Sequence, residues 1–201
     1  MNVCLLGDSI FDSRRQLPGL PDMARRVQPK LTHGSVHLLA ASGSRLAAIP
    51  DQISRIPSGS THAVVSIGGN DLLDLGRQSG FANKGLSSAF AVFLDFQRRY
   101  GTFCDDMRAT GLKTGVCTIY TPPLGDPFLK EIGTAVLEMA NAAITAEAIR
   151  RGLAVLDLSR VCHQPEDFVD PIHPSDVGAD KIATAIADWI QAHEPARLQV
   201  P

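Results

Sequence analysis

Five short apolar runs, separated by longer segments of mostly helical spacing, limit this chain to few architectures. The first, Asn2-Val3-Cys4-Leu5-Leu6-Gly7, is long enough for one strand and too short for a helix of its own. Its inner residues are apolar without alternation, as a strand buried on both faces requires, and such strands belong to parallel sheets. Val36–Ala40, His62–Ile67, Lys113–Tyr120 and Leu153–Leu158 repeat the pattern. Between them, helical spacing is expected over Arg45–Ile56 despite Pro50, over Ala89–Thr110, and over Asp126–Arg151. A last helix is expected over Asp176–His193 with Ser175 as its cap, and a short one over Pro21–Arg26 with proline in its first turn. Over Ala89–Thr110, Phe90, Phe93, Leu94, Phe96 and Phe103 are expected inward. On the following long helix Phe128, Ile132, Val136, Met139 and Ala143 are. Strand alternating with helix predicts a three-layer α/β fold: one doubly wound parallel sheet with helices on both faces, in a single domain over residues 1–201.

Right-handed crossovers would place every strand's C-terminal end on one rim, where ligands bind in open sheets. The residues that follow the strands therefore matter most. The first strand delivers Asp8 and Ser9, the second Gly43, and the third Asn70 and Asp71. The fifth is followed, across a loop, by Asp170-Pro171-Ile172-His173-Pro174. One rim thus collects a hydroxyl, an imidazole, a carboxylate, a side-chain amide and a glycine. Serine is a poor nucleophile until a neutral imidazole accepts its proton. A carboxylate on the far ring nitrogen fixes the tautomer and stabilises the imidazolium. Asp170 and His173 are three apart, so one loop can present both. Backbone N–H groups of Ser9 and Gly43, with the Asn70 amide, can donate to an oxyanion. Each residue also has a plainer reading: Asn70 as a turn cap, Gly43 as a site of positive φ, Asp170 as a cap of the last helix.

Gly7-Asp8-Ser9-Ile10, Gly43, Gly68-Gly69-Asn70-Asp71 and Asp170-Pro171-Ile172-His173-Pro174 resemble, in order, the blocks of the GDSL esterase/lipase family, the SGNH hydrolases. Ile10 stands where the family name has leucine, and Pro171 where a small residue such as glycine is expected. The resemblance implies a flavodoxin-like sheet and a serine hydrolase acting on carboxylic esters, with short-chain or acetyl esters expected. It implies Ser9 as nucleophile, His173 as base and Asp170 as its partner. Ser9, Gly43 and Asn70 would form the oxyanion hole. No cofactor and no metal is implied, and the expected partner is a small-molecule or glycan ester. A silent carbohydrate- or ligand-binding protein on the same fold is the alternative.

Several other functions lack their motifs. There is no G-x-S-x-G elbow, no G-x-G-x-x-G and no Walker A sequence. A net charge of −2 and 5% aromatics argue against a nucleic-acid surface. No apolar stretch is expected to span a bilayer, and no signal peptide is read at the N-terminus. Cys4, Cys104, Cys117 and Cys162 form no C-x-x-C pair, which points to reduced, packed thiols and a cytoplasmic protein. Cys162-His163 is not read as a thiol-enzyme pair, because neighbours on an extended segment point apart. Arg14 and Arg15 are candidates for an anionic substrate, beside the plainer reading as a solvated face. The glycine-bearing stretch Leu75–Ser88 reads as a loop over the site, either a lid or a solvated connection. With Phe11–Thr32 it is where specificity is expected.

Overall fold

β1 (Asn2–Gly7) is covered on both faces: Val3, Cys4, Leu5 and Leu6 are all fully buried. The computed structural model describes residues 1–79, 86–121, 123 and 127–193. β1 pairs in parallel with both β2 (Ser35–Leu38) and β3 (His62–Ser66). Beyond β3 lie β4 (Lys113–Cys117) and β5 (Ala154–Leu156), also parallel. The strand order β2-β1-β3-β4-β5 is that of a flavodoxin-like, doubly wound sheet.

Side chains alternate across a strand, so β1 feeds two cores. Val3 and Leu5 pack with α1 (Met23–Val27) and α7 (Asp176–Ala192), through Met23, Val27, Ile182, Ile186 and Ile190. Cys4 and Leu6 point the other way. They join Ile49 of α2 (Ile49–Ser54), Phe96, Tyr100 and Met107 of α4 (Leu86–Ala109), and Ala140, Ile144 and Ala148 of α5 (Pro127–Arg150). α3 (Gly69–Ser79) follows β3 directly, and α6 (Leu158–Val161) is a single turn after β5. Ser175 caps α7 as expected, its hydroxyl accepting from the Gly178 N–H at 3.2 Å.

Several expectations are corrected. Asp22, not a proline, opens α1: its carboxylate accepts the Arg25 N–H at 3.0 Å, and Pro21 lies before the cap. Leu75–Ser79 is the end of α3 and Leu86–Ser88 the start of α4, so most of the stretch read as a loop is helical. Gly76 costs a helix only about 1 kcal/mol against alanine, too little to break it. Residues 80–85, on which the lid reading turns, lie outside the described residues. On α4 the buried face is Phe96, Tyr100, Phe103, Met107, a run at helical spacing. Phe90 and Leu94 fall off that stripe and are 59% and 47% exposed. On α5 the core face is Ala140, Ile144, Ala148, while Ile132 and Met139 are exposed. Phe128 lies outside the residues whose side chains are described.

Residues Glu131–Arg150 are, by length and composition alone, apolar enough to cross a membrane, against the expectation that no stretch is. Here that helix lies against α4 and β5 as one layer of the domain.

Candidate active site

The exit from β1 is held by a close approach and by one glutamine. Gly7 has φ +124°, and a Cβ there would sit 1.9 Å from the Ser66 carbonyl oxygen, so only glycine fits beside β3. Buried Gln52 of α2 accepts the Gly7 N–H at 2.6 Å and donates to the Gly7 carbonyl at 2.9 Å. The same amide donates to Ser44 Oγ at 3.2 Å, tying β1 to the loop after β2. Asp12 makes a second tie. It accepts the Ser42 N–H at 3.1 Å and pairs with Arg14 at 2.6 Å. The Arg14 hydrogen bond, against modest burial, holds the Asp12 carboxyl below its ordinary range. Arg14 pairs with Asp12 through Nε while its side chain stays 66% exposed, and Arg15 is exposed.

Between those ties sit Ser9, only 7% exposed, and Gly43, exposed with φ +82°. A Cβ on Gly43 would meet nothing within 4 Å, so the backbone conformation, not space, calls for glycine there. Among the described residues, neither the Ser9 N–H nor the Gly43 N–H donates to a protein acceptor. Asn70 stands in the first turn of α3. Its Nδ2 donates to the Ser44 carbonyl at 2.9 Å, which uses one of two hydrogens. Buried Asp71 fixes that turn by accepting the Leu46 N–H at 3.0 Å and the Arg99 guanidinium at 2.8 Å.

His173 arrives on the loop before α7. Its Nδ1 lies 2.9 and 3.0 Å from the two carboxylate oxygens of Asp170. Asp170 Oδ1 also accepts the N–H groups of Ile172 at 2.7 Å and His173 at 2.9 Å. Burial pushes the Asp170 carboxyl up, but the Ile172 N–H, the imidazole and the His173 N–H outweigh it and hold it below the ordinary range. Asp170 does not cap α7; Ser175 does. The loop closes on itself through Val169 N–H to the His173 carbonyl at 3.0 Å. It is anchored to the sheet by the buried Tyr120, whose hydroxyl donates to the Ile172 carbonyl at 2.6 Å.

A cavity of about 730 Å³ opens beside Ser9. Asp8, Ser9, Asn70, Pro171 and Ile172 all line it, so blocks far apart in sequence meet at one place. Gly43 and His173 stand outside its lining, and among the described residues no hydrogen bond joins Ser9 Oγ to His173. Contacts of that kind commonly tighten only when substrate arrives. Burial pushes the Asp8 carboxyl up to about 7; the Ile10 N–H pulls it down and the Asp71 charge adds to the rise.

The GDSL-like lipase/acylhydrolase family matches residues 5–181. The chain belongs to that family. As a member it is an enzyme of the hydrolase class. Solved structures of the same fold include an extracellular lipase from Streptomyces rimosus, with TM-score 0.65, 16% identity, and 96% of this chain covering 100% of that one. An aryl esterase from M. smegmatis gives TM-score 0.67 at 13% identity over 95% of this chain and 98% of that one. A carbohydrate acetylesterase from Sinorhizobium meliloti gives 0.65 at 15% identity over 95% and 98%. At such identities the likeness shows the fold alone. No curated protein matches the chain in sequence.

In this GDSL-like hydrolase the four cysteines are free and buried, and burial pushes the Cys104 and Cys162 thiols up to about 12. That removes Cys162-His163 as a thiolate pair. Among the described residues no group of three His, Cys, Asp or Glu is placed to hold a metal ion. Sequence reasoning missed Gln52, Asp12 and Tyr120. No motif marks them, because each acts through hydrogen bonds to partners 30 or more residues away; only Asp12, three residues from Ser9, gives a hint.

The Tyr120 anchor is testable. Tyr120→Phe removes one hydrogen bond, a loss of about 1 kcal/mol. In a domain of this size that lowers Tm by roughly 2–4 °C. A several-fold fall in kcat on an aryl ester should accompany it, because the loop that carries His173 loosens.

Proposed function

We propose that the chain is a serine esterase that hydrolyses carboxylic esters through an acyl-enzyme. The observation that supports this most is the Asp170–His173 pair, on a loop that also lines the cavity where Ser9 and Asn70 sit. In this reading Ser9 Oγ attacks the ester carbonyl while His173 Nε2 takes its proton. Asp170 holds the ring by Nδ1 and stabilises the imidazolium. The oxyanion receives the unengaged N–H groups of Ser9 and Gly43 and the second hydrogen of the Asn70 amide. The imidazolium then gives its proton to the departing alkoxide, leaving alcohol and acyl-Ser9. Water, deprotonated by His173, attacks the acyl carbon, and the carboxylic acid leaves with Ser9 restored. A short-chain or acetyl group fits beside Ser9 but leaves most of the cavity unfilled.

A fluorophosphonate reports directly on an activated serine. It should label the wild-type chain at Ser9, abolish ester hydrolysis in step with labelling, and leave Ser9→Ala unlabelled. A silent binding protein on the same fold would show no labelling, and that result would overturn the proposal.

A further inference from the structure

We infer that the enzyme's preferred substrates carry a medium-length aliphatic acyl chain, held in the cavity between α3 and α5; this rests on the serine-esterase reading above. The volume of about 730 Å³ equals some two dozen waters at roughly 30 Å³ each, far more than an acetyl methyl needs. Its walls are Leu72 and Leu73 from α3 and Gly133, Val136 and Leu137 from α5, with Ile119 below. Polar lining clusters toward the Ser9 end, as Asp8, Ser9, Ser66 and Asn70. Farther along the described lining, the other polar side chains are already engaged. Tyr120 donates to the Ile172 carbonyl, and Thr118 donates to Asp157 at 2.9 Å. The Asn141 amide accepts the Ile119 N–H at 2.8 Å and donates to the Ile119 carbonyl at 2.7 Å, closing off the backbone under the cavity. Sugar hydroxyls placed there would lose water and gain few partners, whereas methylenes would gain.

The same geometry says which half of the ester enters. The leaving oxygen must face the imidazole that protonates it. His173 stands outside the lining, on the side of the exposed Asp170. The acyl half is left for the largely apolar cavity. This also accounts for α5: Val136, expected to face the sheet, is half-buried and faces the cavity instead, so the helix carries apolar residues on two sides. Specificity therefore falls to α3 and α5. Of the Phe11–Thr32 stretch expected to set it, no residue lines the cavity.

The test compares p-nitrophenyl acetate with p-nitrophenyl octanoate, and ethyl acetate with octyl acetate. Each methylene buried is worth roughly fourfold in binding. With partial burial, kcat/KM should rise on the order of 10²-fold from the aryl acetate to the octanoate. Octyl acetate should gain little over ethyl acetate. Val136→Trp should cut the octanoate-to-acetate ratio at least tenfold, roughly two or more methylenes' worth. Leu73→Trp, at a partly exposed position, makes the same test from the α3 wall should Val136→Trp fail to fold. Acetate as the best aryl ester, a ratio unmoved by folded variants, or a gain that follows the alcohol chain would each overturn the inference. Should no ester of any length turn over, the esterase reading fails and the cavity is still tested by binding. Methyl octyl ketone, which has carbonyl and chain but no scissile bond, should raise the wild-type Tm and not that of the tryptophan variants. The absence of that shift would overturn the inference.

Discussion

Ser9→Ala and His173→Ala are each expected to lose on the order of 10⁶ in kcat on an aryl ester, the loss seen in a comparable triad when either group is removed. In the proposed reaction both groups take part in bond making, and the acid that lines the cavity, Asp8, is a buried carboxyl already held by the Ile10 N–H. Asp170 should behave differently. In comparable triads loss of the acid costs roughly 10⁴. Here the carboxylate also organises the turn, accepting the N–H groups of Ile172 and His173 as well as facing the ring. Asp170→Asn keeps an oxygen for those two N–H groups but turns an amide donor toward Nδ1, which favours the wrong tautomer. It should fold with a Tm only modestly below wild type, since the charge is lost but the acceptor is kept, and lose activity. Asp170→Ala should lose activity and Tm together, because the turn is stripped of its acceptor. The prolines at 171 and 174 do not replace that acceptor. The measurement is kcat for the four variants, with Tm for each. A folded His173→Ala variant with wild-type turnover would show that the base lies elsewhere.

The contrast between Asp170 and Tyr120 shows what a sequence carries. Ser9, Asn70, Asp170 and His173 were legible because strand runs predict a rim, and each residue follows a strand or stands in a short dense block. Asp170 even carries its own local logic, since a side chain can accept from N–H groups two and three residues on. Tyr120 and Gln52 were not legible. Their partners lie 52 and 45 residues away, and a tyrosine or glutamine at a strand or helix end has no pattern of its own. β1 and β3 are the most legible strands because burial on both faces leaves a largely apolar run; β2 and β5, only partly buried, are shorter than the runs that predict them. The helices were read less well. On α4, Phe90 and Leu94 share composition with the core stripe but not its phase. On α5 the apolar residues serve both the sheet and the cavity, and a count of apolar positions cannot divide the two. Residues 75–79 and 86–88 belong to a stretch whose glycines and polarity suggest a loop, yet they are the end of α3 and the start of α4.

Replacing Asp8 with asparagine is expected to stabilise the protein above neutral pH. The Asp8 carboxyl is 4% exposed and accepts one backbone N–H, from Ile10 at 3.1 Å. Burial, with the Asp71 charge nearby, raises it from 3.8 to about 7 in the folded chain. A carboxyl raised on folding binds its proton more tightly in the native state than in the unfolded one. Its contribution to stability is therefore complete below about 4 and is lost as pH rises through about 7. The difference corresponds to on the order of 4 kcal/mol between acid and alkaline pH. The carboxyls held low, including Asp170, Asp12 and Asp167, act in the opposite direction, and their stabilisation fades only as pH falls below the ordinary carboxylate range. The two effects thus occupy different windows. Asparagine keeps an oxygen for the Ile10 N–H and carries no proton to lose. At pH 5 the two proteins should melt within a few degrees of each other. At pH 8 Asp8→Asn should melt roughly 10 °C higher, at about 2–4 °C per kcal/mol for a chain of this length. Thermal unfolding of both proteins from pH 5 to pH 8 decides it. Parallel curves over that range would mean that Asp8 does not titrate there and that its burial is relieved in solution.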